Sequence, residues 1–208
     1  MFRIYLTNLG KYNAGYLVGE WVELPIDNEE YAKVCQRIGI DAMHEEMFVT
    51  DYDCDDSRIC GLLEHLGEFE NVSLLNWLAG ELDTLASWQI DVYAGALELG
   101  NHTGDIYGLI ALTQDLDSYM LLGDVSDDDD LGRYYAELCC LDTSTMGPLA
   151  DYIDYASYGR DVRFEEGGVY IDAGYIVCVD DTTTTLTWDD LPDEYRLCFD
   201  ARVVCAGV

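Results

Sequence analysis

Apolar and polar positions in the first 50 residues follow the short periods that are typical of a small α+β unit. Residues 2–6, 16–24 and 44–50 are rich in β-branched, aromatic and leucine side chains, and each predicts a strand. Asp27 is followed three residues later by Glu30, which is the spacing of a helix capping box. We therefore expect a helix that begins directly after Asp27 and lies between the second and third strands.

The middle of the chain has helical periodicity. Leucines recur there at intervals of three and four residues, with acidic residues between them. These leucines are Leu74, Leu75, Leu78, Leu82 and Leu85. Residues 86–98 and 105–116 have weaker patterns of the same kind, interrupted by glycines. The sequence therefore predicts one strong helix and two shorter ones on a thin core.

The last third of the chain combines both periods. Apolar positions from Leu131 to Leu141 predict an amphipathic helix, and residues 149–158 predict another that ends at Gly159. We expect strands at residues 118–122, 161–164, 168–172 and 174–179. A tail follows from Asp180, with a short helix expected around residues 191–197.

These patterns predict an α+β protein made of three small domains and a C-terminal extension. The segments are an N-terminal α+β domain at 1–58, an acidic helical domain at 59–116, a C-terminal α+β domain at 117–180 and the extension at 181–208. No linker rich in proline or serine separates them, so we expect the domains to abut directly.

Charge narrows the range of partners. The 208 residues include 42 acids and 10 bases, for a net charge of -32, yet half of the residues are hydrophobic. That hydrophobic fraction argues for a folded chain, because disordered chains combine high charge with low hydrophobicity. Direct binding to DNA, RNA or an anionic membrane is not expected, since those ligands attract basic surfaces.

The acids are unevenly distributed along the chain. Residues 59–132 contain 15 acids and no lysine or arginine, so they cannot form an ion pair with a lysine or arginine of their own segment. Their carboxylates must be solvated, neutralised by cations, or offered to a positive partner. The few bases are mostly arginines, which suit fixed pairing. We expect Arg3, Lys11, Arg160 and Arg163 to make internal contacts.

Compartment and redox state follow from weaker signals. The N-terminus lacks the apolar core of a signal peptide, and no apolar run is long enough for a transmembrane helix. None of the eight cysteines lies in a C-x-x-C pair. We therefore expect a cytoplasmic protein with reduced cysteines, no membrane association and no structural zinc.

Catalytic and metal-binding motifs find little support. The three histidines fall in no nucleophile, zinc or metalloprotease pattern, and no phosphate-binding glycine loop is present. The acidic run that starts at Asp51 resembles the opening of a calcium-binding EF-hand loop. That loop needs Gly and Glu where this chain has Asp56 and Leu62. We expect no enzymatic activity and no cofactor.

Asp127–Asp130 is the densest cluster of charge, and it has three interpretations. Acids before a helix satisfy its free N–H groups, and Asp129 stands four residues before Arg133, which favours an ion pair. Four adjacent like charges also repel one another, so a role in binding a partner is equally plausible. Loose binding of divalent cations is the third alternative.

Three strings of sequence resemble those of one protein family. Residues 4–13 (IYLTNLGKYN), followed by Trp21, resemble the opening of the ArdA-type antirestriction proteins. Residues 152–155 (YIDY) and 158–161 (YGRD) resemble that family's C-terminal signature. Residues 130–135 (DLGRYY), within the acidic stretch 127–137, are similar to the antirestriction motif of the same family. The resemblance covers about residues 2–180, and the extension lies beyond it.

The resemblance implies a function and an architecture. ArdA-type proteins are DNA mimics carried by mobile genetic elements. They occupy the DNA-binding groove of Type I restriction–modification enzymes, on the methyltransferase core, and block restriction of incoming DNA; a block of modification would use the same groove. They are elongated, with three small domains, and form homodimers through the third. The alternative is an acidic DNA mimic directed at another basic DNA-binding or defence protein.

Two sets of residues are expected to carry this function. The phosphate-mimicking acids are Glu64, Glu68, Glu70, Glu81, Asp83, Asp91, Glu98, Asp105, Asp115, Asp117, Asp124, Asp127, Asp128, Asp129, Asp130 and Glu137. The residues expected at the dimer interface are Tyr134, Tyr135, Tyr152, Ile153, Tyr155 and Tyr158. For the tyrosine-rich stretch 152–158, burial in the core of one protomer is the alternative.

Overall fold

The computed structural model describes residues 2–139 and 145–199, which form an α+β structure, as predicted. These residues divide into two compact units. Unit 1 comprises residues 2–86, 102–113 and 184–199, and unit 2 comprises residues 87–101, 114–139 and 145–183. Each unit is assembled from separate stretches of chain. The division into three domains with an extension stays a prediction.

Within the part of the chain that the structure describes, six strands form two antiparallel sheets of three strands each. In chain order they are β1 (Phe2–Asn8), β2 (Gly19–Leu24), β3 (Met47–Cys54), β4 (Tyr119–Leu122), β5 (Val169–Ile171) and β6 (Gly174–Cys178). The sheet of unit 1 has the order β2-β1-β3, and the sheet of unit 2 has the order β4-β6-β5. The strands predicted near these positions are thereby confirmed, with shifts of a few residues at their ends.

Seven α-helices lie in the described residues. They are α1 (Leu9–Asn13), α2 (Asn28–Arg37), α3 (Val72–Thr84), α4 (Ser87–Leu99), α5 (Ile106–Gln114), α6 (Asp128–Leu138) and α7 (Tyr155–Glu166). The predicted cap of α2 is confirmed, because a side-chain oxygen of Asp27 accepts a hydrogen bond of 2.8 Å from the Glu30 backbone N–H. Shorter 3-10 turns include Ser57–His65 and Gly147–Tyr152.

Unit 1 is organised around its sheet and α3. Inward-facing residues of β1 and β2, such as Ile4, Leu6 and Val22, are buried, whereas Tyr5 and Trp21 lie on the outer face. Helix α3 is buried on most of its surface, including Leu75 and Leu78 of the predicted leucine stripe. This burial explains the low polarity of α3, since a helix enclosed on several sides needs no wide polar face.

The tail packs within unit 1 on α3. The side-chain amide of Asn76 donates to the backbone carbonyl oxygens of Ile26 (3.0 Å) and Tyr195 (3.4 Å). The Ser73 hydroxyl accepts a hydrogen bond of 3.0 Å from the Leu197 N–H. The short helix predicted around residues 191–197 is a single 3-10 turn at Asp193–Tyr195. Backbone groups of the tail are instead satisfied by side chains of α3 and its surroundings.

Unit 2 packs helices on its own small sheet. Helix α4 contacts all three strands, and helices α6 and α7 pack against each other. One cluster of buried apolar residues in this unit comprises Val125, Leu131, Val162, Tyr175 and Val177.

The stretch around α7 differs from the prediction. Residues 161–164 belong to α7 and form no strand, and Gly159 lies inside the helix rather than at its end. Asp154 begins the helix by accepting hydrogen bonds from the N–H and hydroxyl of Ser157. The helix ends at Gly167, whose φ of 71° is the left-handed conformation that glycine adopts readily. Position 141, the predicted end of the preceding helix, lies outside the described residues.

Two further features bear on the predictions. No helix among residues 2–139 and 145–199 is long and apolar enough to cross a membrane. Every cysteine within these ranges has a free thiol.

Candidate partner-binding surface

The predicted phosphate-mimicking acids are distributed over both units. Six of the sixteen lie in unit 1, from the turn that holds Glu64 to Asp105 before α5, and ten lie in unit 2. Most stand in loops, at helix ends or in first turns, because the buried faces of the helices are occupied by leucine, alanine and other apolar residues. Whether these acids contact a partner stays a prediction.

Seven of these acids are fully available to a partner. Their side chains are exposed and make no hydrogen bond or ion pair to any residue of the described part of the chain. They are Glu64, Glu68, Asp83, Glu98, Asp117, Asp124 and Glu137. An exposed carboxylate without an internal partner has its acceptor capacity free for an incoming base.

Asp127–Asp130, in contrast, is held by contacts within unit 2. Asp127 caps α6 by accepting a hydrogen bond of 2.9 Å from the Asp130 N–H. Asp130 in turn accepts hydrogen bonds from the backbone N–H and hydroxyl of Ser126, at 3.1 and 2.8 Å. Asp129 pairs with Arg133 at 2.6 Å. The capping role and the Asp129–Arg133 pair are thus confirmed.

Asp128 has the most specific contacts of the four. Its Oδ1 accepts hydrogen bonds of 2.9 Å from Arg163 Nε and from the Tyr170 hydroxyl. The Arg163 guanidinium lowers the pKa of Asp128, and the Tyr170 hydroxyl lowers it further. In the same way, the Ser126 hydroxyl lowers the pKa of Asp130. Both carboxylates therefore stay ionised well into the acidic range.

Other predicted acids also have internal roles. Glu81 accepts a hydrogen bond of 2.8 Å from Trp77 Nε1, and Glu70 accepts one of 3.2 Å from the Gly67 N–H. Asp105 accepts a hydrogen bond of 2.9 Å from the Gly108 N–H at the beginning of α5. Asp91 and Asp115 are only partly exposed. These five carboxylates are less available to a partner than the seven exposed ones.

Bases make the internal contacts that the sequence predicts. Arg3 pairs with Asp53 and Asp55 in unit 1. Lys11 donates a hydrogen bond of 3.2 Å to the Ile38 carbonyl oxygen. In unit 2, Arg163 pairs with Asp128, as described above.

Arg160 is held more loosely than these bases. It lies 3.9 Å from Asp161 and 3.4 Å from the Ser157 hydroxyl. The arginines that pair inside each unit neutralise acids there, and the exposed carboxylates are left as the outward charge.

The residues predicted for the dimer interface divide into two groups. Tyr134 and Tyr135 pack against the core of unit 2, and the Tyr135 hydroxyl donates to Glu166. Tyr155 lies under the Arg133 guanidinium, whose central carbon is 4.4 Å from the ring centroid. Tyr152, in contrast, is 84% exposed.

Tyr158 and Ile153 complete the set. Tyr158 is 40% exposed, whereas Ile153 is partly buried. The tyrosine-rich stretch therefore supplies both core contacts and exposed rings, and its place in a dimer stays a prediction.

Sequence reasoning missed two exposed apolar side chains nearby. Leu138 at the end of α6 is 63% exposed, and Phe164 on α7 is 71% exposed. The exposure of Phe164 was not predicted because residues 161–164 were expected to form a strand. A helical reading of residues 155–166 places Val162 inward and Phe164 outward, and that period is the signal that could have found it.

A metal centre finds no geometric support where the chain is described. Within residues 2–139 and 145–199, no three His, Cys, Asp or Glu side chains are grouped so that they could hold a metal ion.

Comparison with known proteins identifies the family. The family model for the antirestriction protein ArdA matches residues 4–177. No curated protein matches the chain. The matched region contains nearly all of both sheets, helices α1 to α7 and all sixteen predicted acids. The match spans well over half of the 208 residues, so the chain belongs to the ArdA antirestriction protein family.

Proposed function

We propose that this protein is a DNA mimic that occupies the DNA-binding groove of Type I restriction–modification enzymes and blocks restriction. Membership of the ArdA family implies an antirestriction function and an interaction with restriction–modification enzymes, in a class of non-enzymatic inhibitors. The observation that carries the mimicry is the set of seven exposed carboxylates without internal partners, on a chain of net charge -32.

The charge has the scale that the proposed groove requires. A DNA duplex carries one phosphate charge per about 1.7 Å of its axis, so 32 charges correspond to about 54 Å of duplex. That length is an upper bound, because the carboxylates need not all face one partner. Lys and Arg that hold phosphates in the groove would hold carboxylates by the same charge-assisted hydrogen bonds. Because phosphate contacts carry no sequence information, one mimic could inhibit enzymes with different target sites.

A competition titration tests the proposal. The full chain is titrated against the methyltransferase core of a Type I enzyme with a labelled target duplex bound, at two salt concentrations. We expect displacement of the duplex at near-stoichiometric amounts, and weaker displacement at higher salt because the interaction is electrostatic. Undiminished DNA binding at a tenfold excess, with several such enzymes, would contradict the proposal.

Matched variants separate the exposed acids from net charge. One variant neutralises Glu98, Asp117 and Asp124 of unit 2 as the corresponding amides. The control neutralises Asp181 and Asp189, together with a third exposed acid of the tail, Glu194. Both lose three charges, so long-range attraction falls equally. We expect inhibition to weaken at least tenfold in the first variant only. If both variants lost inhibition equally, the location of the charges would not matter.

The second candidate is a mimic directed at another basic DNA-binding or defence protein. The exposed carboxylates favour any partner that holds DNA by its phosphates, because no feature of them is specific to one enzyme class. Capture of such a protein by the full chain, with no displacement of DNA from Type I enzymes, would favour this candidate.

Dimerisation through unit 2 is part of the proposal. Exposed Tyr152, Leu138 and Phe164 are large apolar side chains that a second copy could cover. We expect the full chain to sediment as a dimer, and the double variant Leu138→Ser/Tyr152→Ser as a monomer. Trp88→Ser is the control, since Trp88 is 59% exposed on α4 of the same unit. A monomeric unsubstituted chain at tens of micromolar would contradict the dimer.

A further inference from the structure

An aromatic pocket opens on the outer face of the sheet in unit 1. The strand register places Tyr5 of β1 beside Trp21 of β2 on one side and Asp51 of β3 on the other. The rings of Tyr5 and Trp21 meet edge to face, with centroids 5.4 Å apart. The pocket has a volume of about 700 Å³, and Trp21 is 46% exposed beside it.

Three more rings form the other side of this aromatic pocket. Tyr12 meets Phe48 edge to face at 5.2 Å between centroids, and Phe48 stacks on Phe69 at 5.8 Å. Phe48 is buried and anchors the group, whereas Tyr12 is half exposed and Phe69 is 72% exposed. A cluster of large exposed rings around a concavity is uncommon on a protein that acts alone, and it marks a binding surface.

Carboxylates complete the lining, and none of the described residues that line the pocket is a base. Asp51 and Glu68 line the pocket together with the rings. Neither carboxylate forms an ion pair with any residue in the described part of the chain. Arg3, which shares the outer face of the sheet, is already paired with Asp53 and Asp55. The pocket therefore presents the negative faces of aromatic rings beside two negative charges.

We propose that the aromatic pocket binds an arginine side chain presented by a partner protein. A guanidinium group is planar, so it can stack on a ring and donate paired hydrogen bonds to a carboxylate at the same time. The ammonium group of lysine is a more strongly hydrated point charge and fits this combination less well. A neutral apolar segment would leave Asp51 and Glu68 desolvated without partners.

This inference goes beyond mimicry of phosphates. A carboxylate that stands in for a phosphate accepts charge-assisted hydrogen bonds from lysine and arginine alike, whereas the aromatic pocket selects the shape of one side chain. Arginine in a well-fitted aromatic pocket is typical of the residues that carry most of an interface's binding energy. The aromatic pocket would thus fix the position of a partner that long-range charge has attracted.

A peptide titration tests the inference without any restriction enzyme, so its failure and that of the proposed function are distinguishable. The full chain is titrated with a blocked Gly-Arg-Gly peptide, its citrulline analogue and its lysine analogue in about 0.15 M salt, which screens general attraction. We expect the arginine peptide to shift the ring NMR signals of Trp21 and Phe69 saturably. The neutral citrulline analogue should bind at least tenfold more weakly than the arginine peptide. The lysine analogue should bind about threefold more weakly than the arginine peptide. Equal affinity for citrulline would overturn the inference.

Ring-removing variants locate the binding. Phe69→Ala and Trp21→Ala leave the net charge unchanged, so nonspecific attraction to the acidic chain stays constant. We expect each to weaken arginine-peptide binding at least fivefold, and Trp88→Ala, which removes an exposed ring of unit 2, to have no effect. Phe69 lies in a loop, so its variant tests the inference even if Trp21→Ala disturbs the sheet. An unchanged affinity in Phe69→Ala would overturn it.

Discussion

At the scale of single residues, neighbouring carboxylates in Asp127–Asp130 have separate roles. Asp127 and Asp130 satisfy backbone groups at the beginning of α6, Asp129 pairs along the helix, and Asp128 reaches Arg163 and Tyr170 across unit 2. Internal contacts therefore explain how four adjacent like charges persist in one turn. A role in partner binding would come in addition to these contacts.

Asp128→Asn should lower the free energy of unfolding by about 1–2 kcal/mol, because charge-assisted hydrogen bonds to Arg163 and Tyr170 are weakened. Asp127→Asn is the control, since it removes the same charge but asparagine caps a helix as well as aspartate does. Urea unfolding of both variants at neutral pH measures the difference. Equal stability of the two variants would contradict the prediction.

The same pair predicts a pH dependence. Arg163 holds the folded-state pKa of Asp128 below its unfolded value of about 4. The stabilisation is therefore complete above about pH 4 and disappears as the pH falls through the folded pKa. We expect the melting-temperature difference between Asp128→Asn and the unsubstituted chain to shrink as the pH is lowered from 7 to 3. A melting-temperature difference that stays constant with pH would mean that the variant is destabilised by altered packing and not by the lost charge.

At the scale of elements, close backbone contacts decide how helices and tail pack. A Cβ at Gly159 on α7 would overlap the Asp128 carbonyl oxygen and lie 2.6 Å from the Gly132 backbone nitrogen on α6. A Cβ at Gly80 on α3 would overlap the ring of Tyr195 from the tail. At Gly159 the space of a side chain is occupied by backbone, so glycine is needed there, whereas at Gly80 the ring of Tyr195 would have to move aside.

Gly159→Ala should destabilise the chain by about 1–3 kcal/mol, because α6 and α7 must separate to admit the methyl group. Gly123→Ala is the control in the same unit, where a Cβ would make an ordinary contact of 3.6 Å to the Ala173 carbonyl oxygen. Thermal unfolding followed by circular dichroism checks both. A Gly159→Ala protein as stable as the control would disprove the tight α6–α7 contact.

The tail should contribute to the stability of unit 1. Tyr195→Ala removes the ring that covers Gly80, and we expect a loss of about 1–2 kcal/mol. Glu194→Gln is the control at the exposed neighbouring residue. Gly80→Ala should destabilise the unsubstituted chain more than it destabilises the Tyr195→Ala variant. In that variant the ring that would overlap the new methyl group is absent. Strictly additive effects would contradict this packing.

At the scale of the whole molecule, self-repulsion among the acids opposes folding. A net charge of -32 on 208 residues means that bringing the chain together brings like charges together, and few internal pairs offset this. A field of this kind attracts positively charged partners and makes association fast at low salt.

We expect the melting temperature to rise with salt, because screening weakens this repulsion. The measurement is a thermal scan in increasing concentrations of sodium chloride and, in separate series, of choline chloride and of magnesium chloride. A similar rise of the melting temperature in sodium chloride and in choline chloride would show that charge screening is the cause. A flat response would contradict the prediction, and a rise with magnesium alone would favour the cation-binding interpretation of Asp127–Asp130.

Sequence patterns found most elements because local signals determine them. The Asp27 cap, the leucine stripe of α3 and the strand pair near residues 168–179 rest on contacts within a few residues, and all are confirmed. The strand predicted at 161–164 was wrong because Gly159 looked like a helix end. Its true role depends on the close approach of α6, which no local pattern records.

The candidate site could be predicted only in part. The sequence identified which residues are acidic, yet it could not separate exposed Glu137 from Asp128, whose partners lie 35 and 42 residues away. It likewise gave no sign that Tyr5, Trp21 and Phe69 line one pocket, since β1, β2 and the loop before α3 are brought together only by the sheet and its packing.

Composition and order of residues alone determined the α+β class, the net charge and the family, because these depend on local periodicity, on counts and on strings of neighbouring residues. The tertiary structure decided which carboxylates form ion pairs with internal arginines and which stay exposed. It also brought together the residues of the aromatic pocket. The physical reason is that burial and pairing depend on distances between residues far apart in the chain, and folding alone fixes those distances.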